Sequence, residues 1–136
     1  MCGIAGTWNP RAREGLQERV SAATDAIGHR GPDAADAWTD LSVGVSLGHR
    51  RLSVIELSPA GAQPMLSSSG RLVMVFNGEI YNHRTLRASL RGDWRGSSDT
   101  ETLLAAVEAW GVERALEAAV GMFAFAVWNR TTRALT

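Results

Sequence analysis

The spacing of apolar positions changes several times along this chain, and each change marks an element. Cys2 to Trp8 reads as a short strand, closed by a turn at Asn9-Pro10. From Glu14 to Ile27, the residues Leu16, Val20, Ala23 and Ile27 recur at helical spacing, which predicts a helix burying that stripe. Gly28 to Asp33 breaks the pattern with two glycines and Pro32. Val43, Val45 and Leu47 then alternate with Gly44, Ser46 and Gly48, the period of a half-buried strand. Its small-residue face leaves room for a closely packed neighbour.

Leu72 to Phe76 is apolar throughout and too short for a buried helix, so it predicts a strand covered on both faces. It runs into Asn77-Gly78, a turn signal. Asn82 is placed to cap a helix whose inward positions are Leu86 and Leu90. Ser98 to Glu101 has capping-box spacing, with Leu103, Leu104 and Val107 following at helical intervals. Val112, Leu116 and Val120 predict another short helix. Met122 to Trp128 is a second continuous apolar strand, and Asn129 to Thr132 is a hairpin turn toward Ala134 to Thr136. Buried strands beside helices imply stacked layers, and strands joined by short turns favour antiparallel sheets. The fold class read from pattern is α+β.

Composition narrows the function. The 136 residues suit one domain, with no internal repeat or linker, and 45% hydrophobic with 21% charged residues is ordinary globular usage. Fourteen basic and fourteen acidic residues balance, which points away from nucleic acid and membrane surfaces. A single cysteine cannot form an internal disulfide, so a reducing compartment is expected. Neither a spanning apolar run nor a secretory signal is present in the sequence, and the expectation is a cytoplasmic domain. His29, His49 and His83 are too far apart for a short-spaced zinc pair; His29 and His49 are expected to make structural hydrogen bonds, and His83 to lie near a helix start. There is no phosphate-loop or dinucleotide fingerprint, so no cofactor is assigned to this segment. The five tryptophans are scattered core or rim residues, and the polar stretch Gly92 to Ser97 receives no role.

Cys2 stands out. If Met1 is removed, one residue carries both a thiol and a free α-amine. The thiol needs a base, and the amine titrates near neutrality, within reach of the sulfur. A nucleophile also needs oxyanion donors and charges that hold a substrate. Asn77 and Gly78 offer a side-chain amide and a backbone N–H, Arg51 a fork for a carboxylate, and Glu79 and Asp99 anions for an ammonium group. Each taken singly has a plain structural reading: a tight turn, a solvated arginine, a carboxylate favoured by a helix dipole. Together they match an amino acid bearing an acyl group at its far end.

Seven segments in order carry a family resemblance. They are Met1 to Gly6, His29-Arg30-Gly31-Pro32-Asp33, Arg51-Leu52-Ser53-Val54-Ile55, Gly61-Ala62-Gln63-Pro64-Met65, Asn77-Gly78-Glu79-Ile80-Tyr81-Asn82-His83, Ser98-Asp99-Thr100-Glu101 and Gly121 to Ala126. Over nearly its whole length the chain resembles the class II glutamine amidotransferase domain of glutamine-hydrolysing asparagine synthetases.

The resemblance implies an N-terminal nucleophile hydrolase fold: a four-layer αββα sandwich with two antiparallel sheets, here incomplete at its C-terminal end. It implies that Cys2 attacks L-glutamine after Met1 is removed, and that Asn77 and Gly78 form the oxyanion hole. Arg51 would bind the α-carboxylate and Glu79 with Asp99 the α-amino group, while Leu52, Ser53, Val54 and Ile55 line the pocket. The partner implied is a C-terminal synthetase domain using ATP and Mg2+, absent from residues 1–136; a homodimer is the assembly kept in view. Rival readings are an amidotransferase with a peptide or cell-surface-sugar acceptor, and an incomplete domain acting as an interaction module.

Overall fold

Two antiparallel sheets lie face to face in the computed structural model, which describes residues 1–11 and 13–136. The first contains β1 (Gly3–Trp8), β2 (Ala34–Asp40) and β3 (Val45–Arg51) in the order β1-β3-β2. The second contains β4 (Met65–Leu66), β5 (Leu72–Ile80), β6 (Gly121–Asn129) and β7 (Ala134–Leu135) in chain order. Four α-helices accompany them among the described residues: α1 (Leu16–Ala26), α2 (His83–Ala88), α3 (Asp99–Trp110) and α4 (Val112–Ala118). None of the described helices is long and apolar enough to cross a membrane.

The alternation of β5 explains the layering. Val73 and Val75 join Val45, Leu47 and Trp128 in a core between the sheets. Leu72, Met74 and Phe76 face the other way and join Leu103, Leu104 and Val107 of α3 with Ala115 of α4. Both faces are covered, as the unbroken apolar run predicts. On the outer side of the first sheet, a Cβ at Gly48 would lie 2.2 Å from Thr24 Oγ1 and 2.7 Å from Val20 Cγ1. The close neighbour expected against the small face of β3 is therefore α1. Each fully buried Leu or Val contributes about 1.5–3 kcal/mol, so these three interfaces dominate the stability.

Several expectations need correction. Asn77-Gly78 is no turn: β5 continues through it to Ile80, with Asn77 opposite Ala124 and Gly78 opposite Phe123. The side chain of Asn82 does not cap α2; it donates to Ala118 O and accepts from Val120 N, both at 2.9 Å, and so ties α2 to the α4–β6 junction. The α1 stripe runs through Leu16, Val20 and Thr24, with Ala23 exposed, because the Thr24 hydroxyl folds back on Val20 O at 2.7 Å. In α4 the buried residue is Ala115, and Val120 lies beyond the helix, exposed. β6 is not covered along its length either, since Met122 is 72% exposed. The α3 capping box is half made: Ser98 Oγ accepts from Glu101 N at 3.2 Å, but the buried Glu101 carboxylate pairs with Arg87 and Arg95 instead. Finally, β2 has no apolar signature, and the pattern reading misses it; it is an edge strand pairing with β3 from Ala34 to Asp40.

Candidate active site

Cys2 sits immediately before β1, and two neighbours, Arg30 and Leu52, fix it there. Arg30 Nε donates to the Cys2 carbonyl at 3.0 Å, and the Leu52 N–H points at the Cys2 sulfur at 3.4 Å. The thiol in turn lies 3.6 Å from Leu52 O. Asp33 Oδ2 accepts the Ser53 N–H at 2.7 Å. Gly31 makes this approach possible, since a Cβ there would fall 2.5 Å from the Arg50 carbonyl carbon. The His29–Asp33 segment thus holds both the nucleophile candidate and the start of the 52–58 stretch.

The oxyanion candidates arise from the geometry of β5. Phe76 N donates to Gln63 Oε1 at 2.6 Å, and Ile80 N donates to Asp99 Oδ2 at 2.9 Å, both on the edge away from β6. In an antiparallel strand every second residue presents its N–H and C=O to the same edge. The Gly78 N–H therefore points out of that edge, between two anchored neighbours. Gly78 has φ 152°, and a Cβ there would lie 2.3 Å from Met122 O and 2.4 Å from Phe123 Cα. Only glycine fits on both counts. One residue earlier, Asn77 Oδ1 is buried without a hydrogen-bond partner among the described residues. Such an orphan is uncommon enough in a folded protein to call for an explanation.

Arg51 is the last residue of β3. Its Nη2 donates to the carbonyls of Glu56 and Ser58, the latter at 3.0 Å, so the guanidinium organises the segment that follows it. Asp99 opens α3, buried, with Oδ1 on its neighbour Thr100 N at 2.9 Å. Glu79 lies exposed on β5.

His49 is buried between the sheets, with Nε2 3.0 Å from Phe76 O. A carbonyl accepts, so Nε2 carries the proton. Burial lowers its pKa from the ordinary 6.5 to about 4, the bond to Phe76 O opposing and the positive charge of Arg51 assisting. It makes the structural bond expected of it, as His83 takes the expected place at the start of α2.

Cys2, Arg51, Leu52, Ser53, Val54, Ile55, Asn77, Gly78, Glu79 and Asp99 all line one cavity of about 340 Å³. That volume is at the lower end of small-ligand sites. The same wall includes Met1, Glu56, Gln63, Tyr81, Thr100 and Met122, to which the sequence reading gave no role. Of these, only Glu56 lies outside the seven motifs; periodicity cannot distinguish a cavity-facing Glu56 or Met122 from a solvated one.

Comparison with known proteins agrees in one direction. A family model described as a glutamine amidotransferase domain matches residues 1–136. Asparagine synthetase 2 (glutamine-hydrolysing) of Bacillus subtilis is 37% identical over 134 residues, covering 96% of this chain and 17% of that protein. A putative glutamine-hydrolysing asparagine synthetase of Mycobacterium bovis is 36% identical over 153 residues, covering 99% and 23%. A protein named amidase chry2 from Gibberella zeae is 37% identical over 148 residues, covering 99% and 22%. The chain thus spans about a fifth of the length of these relatives, aligned along nearly all of its own. It belongs to the glutamine amidotransferase domain family.

Proposed function

We propose that this domain hydrolyses L-glutamine to glutamate and ammonia, with Cys2 as nucleophile, on an N-terminal nucleophile hydrolase fold. The observation that carries the reading is that the ten residues implied by the sequence resemblance, drawn from four separate segments, line a single cavity. Glutamine binds with its α-carboxylate on Arg51 and its α-ammonium between Glu79 and Asp99, which aims the side-chain amide at Cys2. The sulfur attacks the amide carbon while the α-amine, freed by loss of Met1, accepts the thiol proton. The carbonyl electron pair moves to oxygen, where the Asn77 amide and Gly78 N–H receive it. The tetrahedral adduct collapses, and the nitrogen takes the proton from the ammonium and leaves as ammonia. Water, giving a proton to the same amine, then attacks the thioester, releasing glutamate and restoring the thiol.

The ammonia would feed amidation of aspartate by a synthetase domain using ATP and Mg2+, as the names of the Bacillus and Mycobacterium relatives suggest. The lone cysteine fits a reducing, cytoplasmic setting. Two relatives named amidases, from Gibberella zeae and Penicillium rubens, favour a second reading in which the amide chemistry is not tied to aspartate. The decisive experiment incubates the protein with a glutamine-analogue electrophile and measures the intact mass and the first peptide. Loss of Met1 and one adduct on Cys2 are expected. Retained Met1, or an unlabelled Cys2 in a folded sample, overturns the proposal.

A further inference from the structure

We infer that Glu56 is a positioning residue that couples the carboxylate-binding and ammonium-binding halves of the substrate site; the inference rests on the glutaminase reading above. Glu56 belongs to the stretch that Arg51 organises, since Arg51 Nη2 donates to its carbonyl oxygen and to Ser58 O. Its carboxylate works in the other direction. Oε1 accepts the Ser58 N–H at 3.0 Å, while Oε2 accepts the Ser97 N–H at 2.7 Å and the Ser97 hydroxyl at 3.0 Å. Ser97 directly precedes the Ser98 cap of α3 and Asp99. One side chain therefore ties the segment after Arg51 to the helix end that presents Asp99.

Two glycines make room for this tie. A Cβ at Gly96 would sit 2.6 Å from Glu56 Oε2. At Gly61 it would sit 2.5 Å from Arg51 Nη2 and 2.9 Å from Glu56 Cγ. Gly61 closes a short 3-10 turn and is buried, and Gly96 lies in the loop before α3; at both, a side chain would displace Glu56. The donors around the carboxylate, led by Ser58 and Ser97, hold its pKa down at about 2, so the acceptor stays ionised at any working pH. Glu56 also lines the cavity, but both its oxygens are engaged by serines, so it acts through Arg51 and Asp99 and not on the substrate itself.

The physical consequence is a fixed separation between a cation and an anion. An α-amino acid places its carboxylate and ammonium on one carbon, so a site that reads both must hold its own charges in register. Without the Glu56 bridge the 52–58 stretch and the α3 start can drift apart, and substrate binding weakens while the thiol chemistry persists.

The test compares wild type with Glu56→Ala and Glu56→Gln, the latter keeping the size and one acceptor. Three readouts are used: glutamine KM and kcat, backbone amide exchange at Ser58 and Ser97, and Cys2 alkylation by iodoacetamide against a glutamine-analogue electrophile. For Glu56→Ala, KM should rise roughly tenfold or more, the effect of losing hydrogen bonds to a charged acceptor, with kcat changed less than about threefold. Exchange at both serines should accelerate, iodoacetamide should react at the wild-type rate, and the analogue should react more slowly. Glu56→Gln should fall between. Unchanged exchange at Ser58 and Ser97 overturns the bridge whatever the activity. Faster exchange with unchanged KM and unchanged analogue labelling overturns its part in recognition. A wild-type protein that exchanges as expected but never consumes glutamine overturns the proposed function and leaves the bridge standing.

Discussion

Asp99, in the first turn of α3, reaches β5 and accepts the backbone N–H of Ile80 at 2.9 Å. This bond makes the candidate ammonium site and the candidate oxyanion strand one mechanical unit. The carboxylate also receives Thr100 N, so two N–H donors hold it in place and leave only part of its acceptor capacity for a ligand. Asp99→Asn removes the charge and turns an N–H donor toward one of these two amides. Glutamine KM should rise roughly ten- to a hundredfold, and unfolding stability should drop by about 1–3 kcal/mol. Steady-state kinetics and urea unfolding check both. A change in kcat alone would place the ammonium elsewhere.

Gly78→Ala tests the strand itself. A methyl group at this position meets Met122 O at 2.3 Å, and φ 152° is a conformation alanine rarely adopts. Overpacking and backbone strain each cost about 1–3 kcal/mol, so a loss of roughly 2–5 kcal/mol is expected in urea unfolding. Glutaminase activity should fall more than stability explains, because relief of the clash rotates the N–H that points into the cavity.

Much of this site was legible in the sequence because its residues sit in compact motifs that resist reshuffling. Arg51 to Ile55 and Asn77 to Glu79 fall where the motifs place them, along one cavity. The misreading at Asn77-Gly78 has a specific cause. Asn-Gly usually marks a tight turn, yet here glycine is needed for its lack of Cβ beside Met122 and Phe123, inside a strand. β2 was illegible for a different reason: apart from Trp38, which packs on the inter-sheet core, this edge strand holds only Ala, Asp and Thr and so shows no apolar period. Glu56 and Asn82 escaped because their roles are long-range side-chain bonds, to Ser97 and to Ala118, that no local spacing encodes.

Asn77 should separate catalysis from stability. Its Oδ1 is buried with no partner among the described residues, an arrangement that itself disfavours folding. Asn77→Ala removes the orphan together with the proposed oxyanion donor. The expected result is a kcat lower by about a hundred- to a thousandfold, with KM little changed and urea stability equal or higher. A variant that loses stability but keeps its kcat would make Asn77 a structural residue and remove it from the oxyanion hole.

The pH dependence of stability should bear the mark of His49. Its pKa is about 4 in the folded protein against an ordinary 6.5, so between these values the unfolded chain binds the extra proton. Stability from neutral His49 is complete above pH 6.5 and declines as the pH falls toward 4, where the folded protein also protonates. Each pH unit of separation corresponds to about 1.4 kcal/mol, so the loss across the window is on the order of 3 kcal/mol. Glu56, held near 2, changes its contribution only below about pH 4.5, which keeps the two effects apart. His49→Gln offers an amide N–H near the position of Nε2 and can keep the bond to Phe76 O without titrating. Urea midpoints measured from pH 7.5 to 4 should slope downward for wild type and flatten for His49→Gln. Parallel slopes would assign the acid sensitivity to the carboxylates, and the neutral imidazole between the sheets would have no part in it.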